Sequence, residues 1–172
     1  MLSEKTKHSI LELQKLYPEK RSALIPALHL AQSEEGYLSL ETQQEVAALF
    51  DIEPNEVHAV VTFYDMFFDK PVGKHIIHVC KNVSCMLRGS DELLNNLCNK
   101  LQCPGAGHTT ADGEFTIITS ECLAACDRAP MMLVDDKVVG PVDSGDLDEI
   151  IAEAKRGPGH PSPVKHVEVD HA

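Results

Sequence analysis

Residues 75–94 read HIIHVCKNVSCMLRGSDELL: an apolar run ending on a cysteine, a second cysteine shortly after it, then the start of a helix. A second stretch of the same kind lies at 120–134, SECLAACDRAPMMLV. Four of the six cysteines therefore fall into two tight pairs, Cys80-x4-Cys85 and Cys122-x3-Cys126. Two short loops, each offering two thiolates, can close on one metal centre. Thiolate sulfur is a soft ligand that selects iron–sulfur clusters, zinc or Cu(I), and four thiolates are the full complement of a [2Fe–2S] cluster. The spacing is neither the C-x2-C of a zinc ribbon nor the C-x4-C-x2-C run of plant-type ferredoxins. Four thiolates also satisfy tetrahedral zinc, so a zinc-stabilised module that only scaffolds a partner stays open on spacing alone. A thioredoxin-type redox dithiol needs C-x-x-C, which is absent. Two close pairs on strand exits argue against cysteines that are merely buried small hydrophobes.

Working outward, residues 75–79 predict a strand that delivers Cys80, and 114–119 predict one that delivers Cys122. Both pairs then lie on loops at one end of a sheet. Between them, residues 90–101 predict a helix that Ser90 can cap, with Leu93, Leu94, Leu97, Cys98 and Leu101 as its apolar face. Ala111-Asp112-Gly113 reads as a turn. Strands 131–134 and 137–140 form a hairpin around Asp135-Asp136, and helix 146–155 closes a β-α-β-β-α order. Residues 1–70 read as a small helical bundle. Ser3 caps a first helix facing inward with Ile10, Leu13 and Leu16. The second, from Pro18 to Gly36, faces inward with Leu24, Ile25, Leu28 and Ala31, and Pro26 predicts a kink or an early first turn. Ser39 caps a third through Val46 to Phe50. Pro54 opens a fourth, with Val57, Val60, Val61 and Tyr64 inward. The aromatic run Phe63, Tyr64, Phe67 and Phe68 is expected in the core or between the two domains. Residues 156–172 are rich in Pro, Gly and His and read as a flexible tail.

Together with TFYDMFF (62–68) and PVGKH (71–75), the two cysteine stretches resemble the thioredoxin-like [2Fe–2S] ferredoxin family, that of the NuoE and 24 kDa subunits of NADH:quinone oxidoreductase, respiratory complex I. The resemblance runs from about residue 8 to about residue 155. It implies an α/β (α+β) chain: a partner-docking helical bundle (1–70), a thioredoxin-like [2Fe–2S] domain (71–155) and the tail (156–172). It implies one cluster on Cys80, Cys85, Cys122 and Cys126, exchanging one electron with the FMN of an NADH-binding partner subunit that also holds a [4Fe–4S] cluster. NADH and FMN would sit only on that partner, in a heterodimer within a larger complex on the cytoplasmic face of the inner membrane. Similar subunits serve as diaphorase partners in NAD-linked hydrogenases and formate dehydrogenases, and a free-standing ferredoxin is a further alternative. One departure is visible: the family usually has Gly where this chain has Ala124, and alanine disfavours positive φ.

The bulk numbers exclude other classes. In 172 residues, 15 basic against 27 acidic side chains give a net charge of −12. That argues against nucleic acid and anionic membrane surfaces, both of which need clustered Lys and Arg. No apolar stretch approaches the ~20 residues that span a bilayer, and the N-terminus lacks a signal-peptide core or an Arg-rich, acid-poor transit pattern. The chain is expected in the cytoplasm. There is no G-x-G-x-x-G after a strand and no G-x4-G-K-[ST], so no nucleotide site is expected on this chain. A chain with a cluster and no substrate site is an electron relay.

The remaining candidates read as structural. Cys98 is expected as a packed core thiol and Cys103, before Pro104, as a free thiol; a Cys98–Cys103 disulfide is conceivable but has no compartment to favour it. His75 and His78 flank the first strand; a Rieske-like set needs two histidines in place of two cysteines, so both are read as satisfied polar residues. Lys81, Arg88 and Arg128 flank the cysteines, compensating the charge of about −2 that four thiolates give an oxidised cluster, serving in docking, or standing as ordinary surface charge. Pro130 follows the second loop, and the sequence leaves its isomer open. His160, His166 and His171 of the tail read as solvated.

Overall fold

The short helices at the start of the chain form because their ends are closed locally. The hydroxyls of Ser3 and Ser39 accept the N–H groups of Thr6 (3.3 Å) and Thr42 (3.1 Å), each satisfying a donor that a helix start leaves free. Pro54 sits at the first helical position, and Glu56 reaches back to the Glu53 N–H in a capping box. The computed structural model describes residues 1–160 and resolves two units, Met1–Pro71 and Val72–His160.

The first unit holds α1 (Glu4–Gln14), a 3-10 turn (Lys20–Ala23), α2 (Leu24–Glu35), α3 (Leu40–Phe50) and α4 (Pro54–Phe63). Pro26 lies in the first turn of α2, where its missing N–H costs nothing, so the early-turn reading holds. Ile10, Leu13, Leu28, Val46, Phe50, Val57, Val61 and Phe67 fill the core. Leu16, expected inward, and Phe63, expected in the core or between the domains, lie outside this core. Leu16 lies beyond the end of α1 and is 58% exposed, and Phe63 ends α4 at 75% exposed. The segment after α4 is tied down by buried Gln32. Its amide donates to Met66 O (2.9 Å) and its carbonyl accepts the Phe68 N–H (2.8 Å).

The second unit runs β1 (His75–Cys80), α5 (Val83–Leu87), α6 (Ser90–Leu101), β2 (His108–Thr109), β3 (Phe115–Ser120), β4 (Met132–Val134), β5 (Lys137–Val139) and α7 (Leu147–Arg156). Apart from α5 and β2, which are too short to show a period, the unit runs β-α-β-β-β-α, one strand more than the expected β-α-β-β-α order. The sheet order is β2-β3-β1-β4-β5, with β1 and β3 parallel and the other pairs antiparallel. β1 is central and buried along nearly its whole length, as a strand covered on both faces should be. Leu93 and Leu97 of α6, and Leu147 and Ala154 of α7, pack on the sheet core with Ile77, Phe115, Ile117 and Met132.

Two local expectations do not hold. Ser90 is not the cap of α6. Gly89, at φ +93, takes that position and the Ser90 hydroxyl is buried without a hydrogen-bond partner. The start of the expected tail is also held: Arg156 completes α7, and the His160 N–H donates to Lys74 O at 2.8 Å. Residues 161–172, with His166 and His171, lie outside the described residues.

Candidate metal centre

The parallel register decides where the cysteines go. Cys80, last in β1, is paired with Ser120, last in β3, so both cysteine loops leave the same end of the sheet. β4 returns antiparallel and starts at Met132, so the second loop also ends there. Hydrogen bonds fix the junction. The Lys81 N–H donates to Ser120 O (2.9 Å), and the Cys80 N–H donates to Met131 O (3.2 Å). In the first loop, α5 carries Cys85 inward; Cys80 is 3% and Cys85 1% exposed. In the second, Cys122 and Cys126 are exposed, with Cys126 opening a 3-10 turn to Arg128. The Ala129–Pro130 bond that follows is cis.

Backbone amides already point at the sulfurs. Burial pushes the Cys80 thiol up, but the N–H groups of Asn82 and Leu123 and the Cys85 side chain hold it below the ordinary cysteine value. Leu123 belongs to the second loop, so that contact joins the two loops at one sulfur. Cys85 is pushed up by burial, against the Met131 N–H, and by its neighbours Cys80 and Cys126. The Ala124 N–H donates to Cys122 Sγ at 3.4 Å. Amides aimed at thiolates stabilise negative charge, which is what a ligand set for iron requires. Leu123, Ala125, Ala129 and Met131 pack around the buried pair. In front lies an open depression of about 340 Å³ bounded by Ser84, Leu87, Arg88, Cys126, Asp127 and Ala129.

Among the described residues, no three His, Cys, Asp or Glu side chains converge tightly enough to hold a single ion. The Cys85 side chain contacts Cys80 and Cys126 lies near Cys85, and a [2Fe–2S] cluster shares four cysteines between two irons. The donor set and its amide contacts fit that group. The flanking histidines stand apart from it. His75 Nδ1 lies 2.9 Å from Asp135 Oδ2 and His78 Nδ1 lies 3.0 Å from Ser120 Oγ. His75 is less satisfied than expected, because its buried Nε2 has no hydrogen-bond partner. Of the cations, Lys81 pairs with Asp91 in the first turn of α6, Arg128 is 4.0 Å from Asp127, and Arg88 borders the depression. Cys98 is half-buried and Cys103 buried, both as free thiols.

Sequence reasoning missed Leu123, Met131 and Ser120 as contributors. Leu123 and Met131 act through backbone N–H groups, which carry no side-chain signature. Ser120 forms part of the seat through its register opposite Cys80.

The profile of the thioredoxin-like [2Fe–2S] ferredoxins matches residues 10–155. The chain belongs to this family. It is 44% identical over 135 residues to the second E-type subunit of the NADH-quinone oxidoreductase of Rhizobium meliloti, covering 78% of this chain and 80% of that one. It is 38% identical over 136 residues to the NADP-reducing hydrogenase subunit HndA of Solidesulfovibrio fructosivorans, covering 79% of each. Among solved structures, a chain of an NAD+-reducing [NiFe]-hydrogenase superposes with a TM-score of 0.66 at 27% identity. That match covers 77% of this chain but 23% of the hydrogenase chain, so this family member corresponds to a minor part of that larger polypeptide.

Proposed function

We propose that this family member is an electron-transfer subunit of the NADH dehydrogenase module of an NADH:quinone oxidoreductase, with Cys80, Cys85, Cys122 and Cys126 as the ligands of its single [2Fe–2S] cluster. When bound, such a cluster supplies a one-electron carrier. The observation that carries the reading is the parallel register of β1 and β3, which sends both cysteine pairs to one end of the sheet. The protein's own part is ligation and charge compensation. Asn82 and Leu123 offer N–H groups to Cys80, Met131 to Cys85 and Ala124 to Cys122. Burial of Cys80 and Cys85 keeps water from one side of the site. Exposed Cys122 and Cys126 leave the other side open to a partner. That partner is an NADH-binding flavoprotein subunit, and the family member works at the cytoplasmic face of the membrane through it. Among the described residues, no helix is long and apolar enough to cross a bilayer.

Anaerobic purification with metal analysis and EPR tests the ligand set. Two irons per chain and a rhombic S = 1/2 signal after dithionite support it. Replacing any one of the four cysteines by Ser is expected to lose or strongly alter that signal. One zinc per chain, no colour and failed iron reconstitution sink the relay and leave a scaffold. The second reading, a diaphorase subunit of an NAD-linked hydrogenase, is favoured by the HndA and [NiFe]-hydrogenase matches. The proteins that co-purify with the flavoprotein separate the two.

A further inference from the structure

The last turn of α6 closes in a Schellman motif whose two side-chain contact positions are both cysteine. Gln102 adopts the left-handed conformation at φ +51. Its N–H donates to Asn99 O (3.3 Å), and the Cys103 N–H donates to Cys98 O (2.9 Å). This is the paired bonding that defines the motif, in which the residue just past the reversal packs against the one five positions earlier. Here those residues are Cys103 and Cys98, in positions where natural helices place two hydrophobes. The hydrogen bond also limits how far apart they are. Along the path Cα–N···O=C–Cα, covalent geometry with a 2.9 Å contact keeps the two Cα atoms within about 7 Å, and the bent angles shorten this further. A disulfide needs Cα atoms about 4.4–6.8 Å apart. Both sulfurs belong to the same apolar cluster, Cys98 half-buried and Cys103 7% exposed.

We propose that Cys98 and Cys103 form a modification site, a dithiol clip that a low-molecular-weight disulfide oxidises to an intramolecular Cys98–Cys103 disulfide. The more exposed Cys98 thiolate attacks one sulfur of the oxidant RSSR. The oxidant's S–S bond breaks, RS⁻ leaves and takes up a proton, and a Cys98–S–SR mixed disulfide remains. Cys103 Sγ, having given up its proton, then attacks Cys98 Sγ. The second RS⁻ departs as the protein disulfide forms. Two protein thiols are oxidised and one RSSR is reduced to two RSH.

Closing the clip changes how the chain leaves α6. Cys103 Sγ now lies 3.5 Å from Gly105 O and 3.4 Å from His108 O as a thiol donor, so the connection to β2 is steadied by that proton. Oxidation removes the donor and ties the connection covalently to α6 instead. The first step is slow near neutral pH, because burial and then the neighbouring Cys103 hold the Cys98 thiol above the ordinary value. Oxidation therefore accelerates as pH rises from about 7 to about 9, as the thiolate fraction grows.

Lys100 lies between the two cysteines and makes the state readable. The full cluster-containing chain is incubated anaerobically with oxidised glutathione, its remaining thiols are alkylated under denaturing conditions, and it is digested with trypsin without reduction. The expected map joins peptide 89–100 to peptide 101–128 through Cys98 and Cys103, with no glutathione retained. Visible absorption recorded before denaturation should be unchanged. Cys103→Ser should trap glutathione on Cys98, and Cys98→Ser should leave Cys103 unmodified. The proposal is overturned if glutathione persists on Cys98 of the native chain, if Cys98 joins Cys122 or Cys126, or if both thiols stay free across the pH range.

Discussion

Ala124 occupies the centre of the second cysteine loop at φ +56, a conformation that costs a residue with a Cβ about 1–2 kcal/mol and glycine little. The position is exposed, and its N–H is the donor to Cys122 Sγ, so the left-handed backbone is the geometry the site uses. Ala124→Gly should therefore raise stability by up to about 1 kcal/mol, after the added freedom of the unfolded chain is subtracted. The cluster's EPR signal should be unchanged. Urea unfolding of the two proteins checks this, and a destabilised Gly variant would mean the loop does not hold positive φ. A second residue-scale case is His29, buried on α2 with its ring centroid 4.8 Å from that of Phe67 and no hydrogen-bond partner for Nδ1. Burial pushes its pKa below the usual value. A histidine depressed in the folded state binds its proton more readily when unfolded, so it favours the unfolded chain as pH falls through its unfolded pKa of about 6.5. His29→Leu should flatten the acid side of the stability profile between about pH 7 and pH 5. Equally steep profiles for the two proteins would refute the assignment.

At the scale of elements, local chemistry explains what could be read from sequence and what could not. The caps at Ser3 and Ser39 and Pro54 at its helix start were legible because each depends on residues within one turn. The strand exits at Cys80 and Cys122 were legible because period and cysteine spacing coincide there. Leu16 was misplaced because a helical period identifies a face without fixing where the helix ends, and Phe63 lies outside the core of its unit because that period does not fix how much of the face a neighbour covers. β2, two residues long, and α5, five residues long, are held by pairing and packing and carry no pattern of their own. Gly140 also escaped notice, although β5 depends on it to pass the second cysteine loop. A Cβ there would meet the Arg128 carbonyl and lie 2.7 Å from Met131 Cβ. Gly140→Ala must displace Met131, whose N–H supports Cys85, at a cost of about 1–3 kcal/mol typical of overpacking. The expected outcome is a lower melting temperature and fewer irons retained per chain after gel filtration. Full iron content at an unchanged melting temperature would show that the loop has room to yield.

Across the whole molecule, the hydrophobic cores divide as the chain does. One apolar cluster is drawn from Leu2 to Phe67, and the clusters around the sheet and the cysteines are drawn from Ile77 to Ala154. The backbone N–H groups aimed at the sulfurs of Cys80, Cys85 and Cys122 come from residues 82 to 131. A segment of this size with its own core meets the usual condition for folding alone. The fragment 72–160 is therefore expected to purify as a red-brown protein with two irons and the full-length EPR signal. The first unit carries exposed Leu11, Leu40, Phe63 and Met66, apolar side chains available to a partner. If that unit supplies docking, the same fragment should fail to co-purify with the proposed flavoprotein partner while the full chain succeeds. A fragment that holds its cluster and still binds would place docking on the ferredoxin unit. A colourless, unfolded fragment would show that the cluster seat depends on the helical unit for its stability.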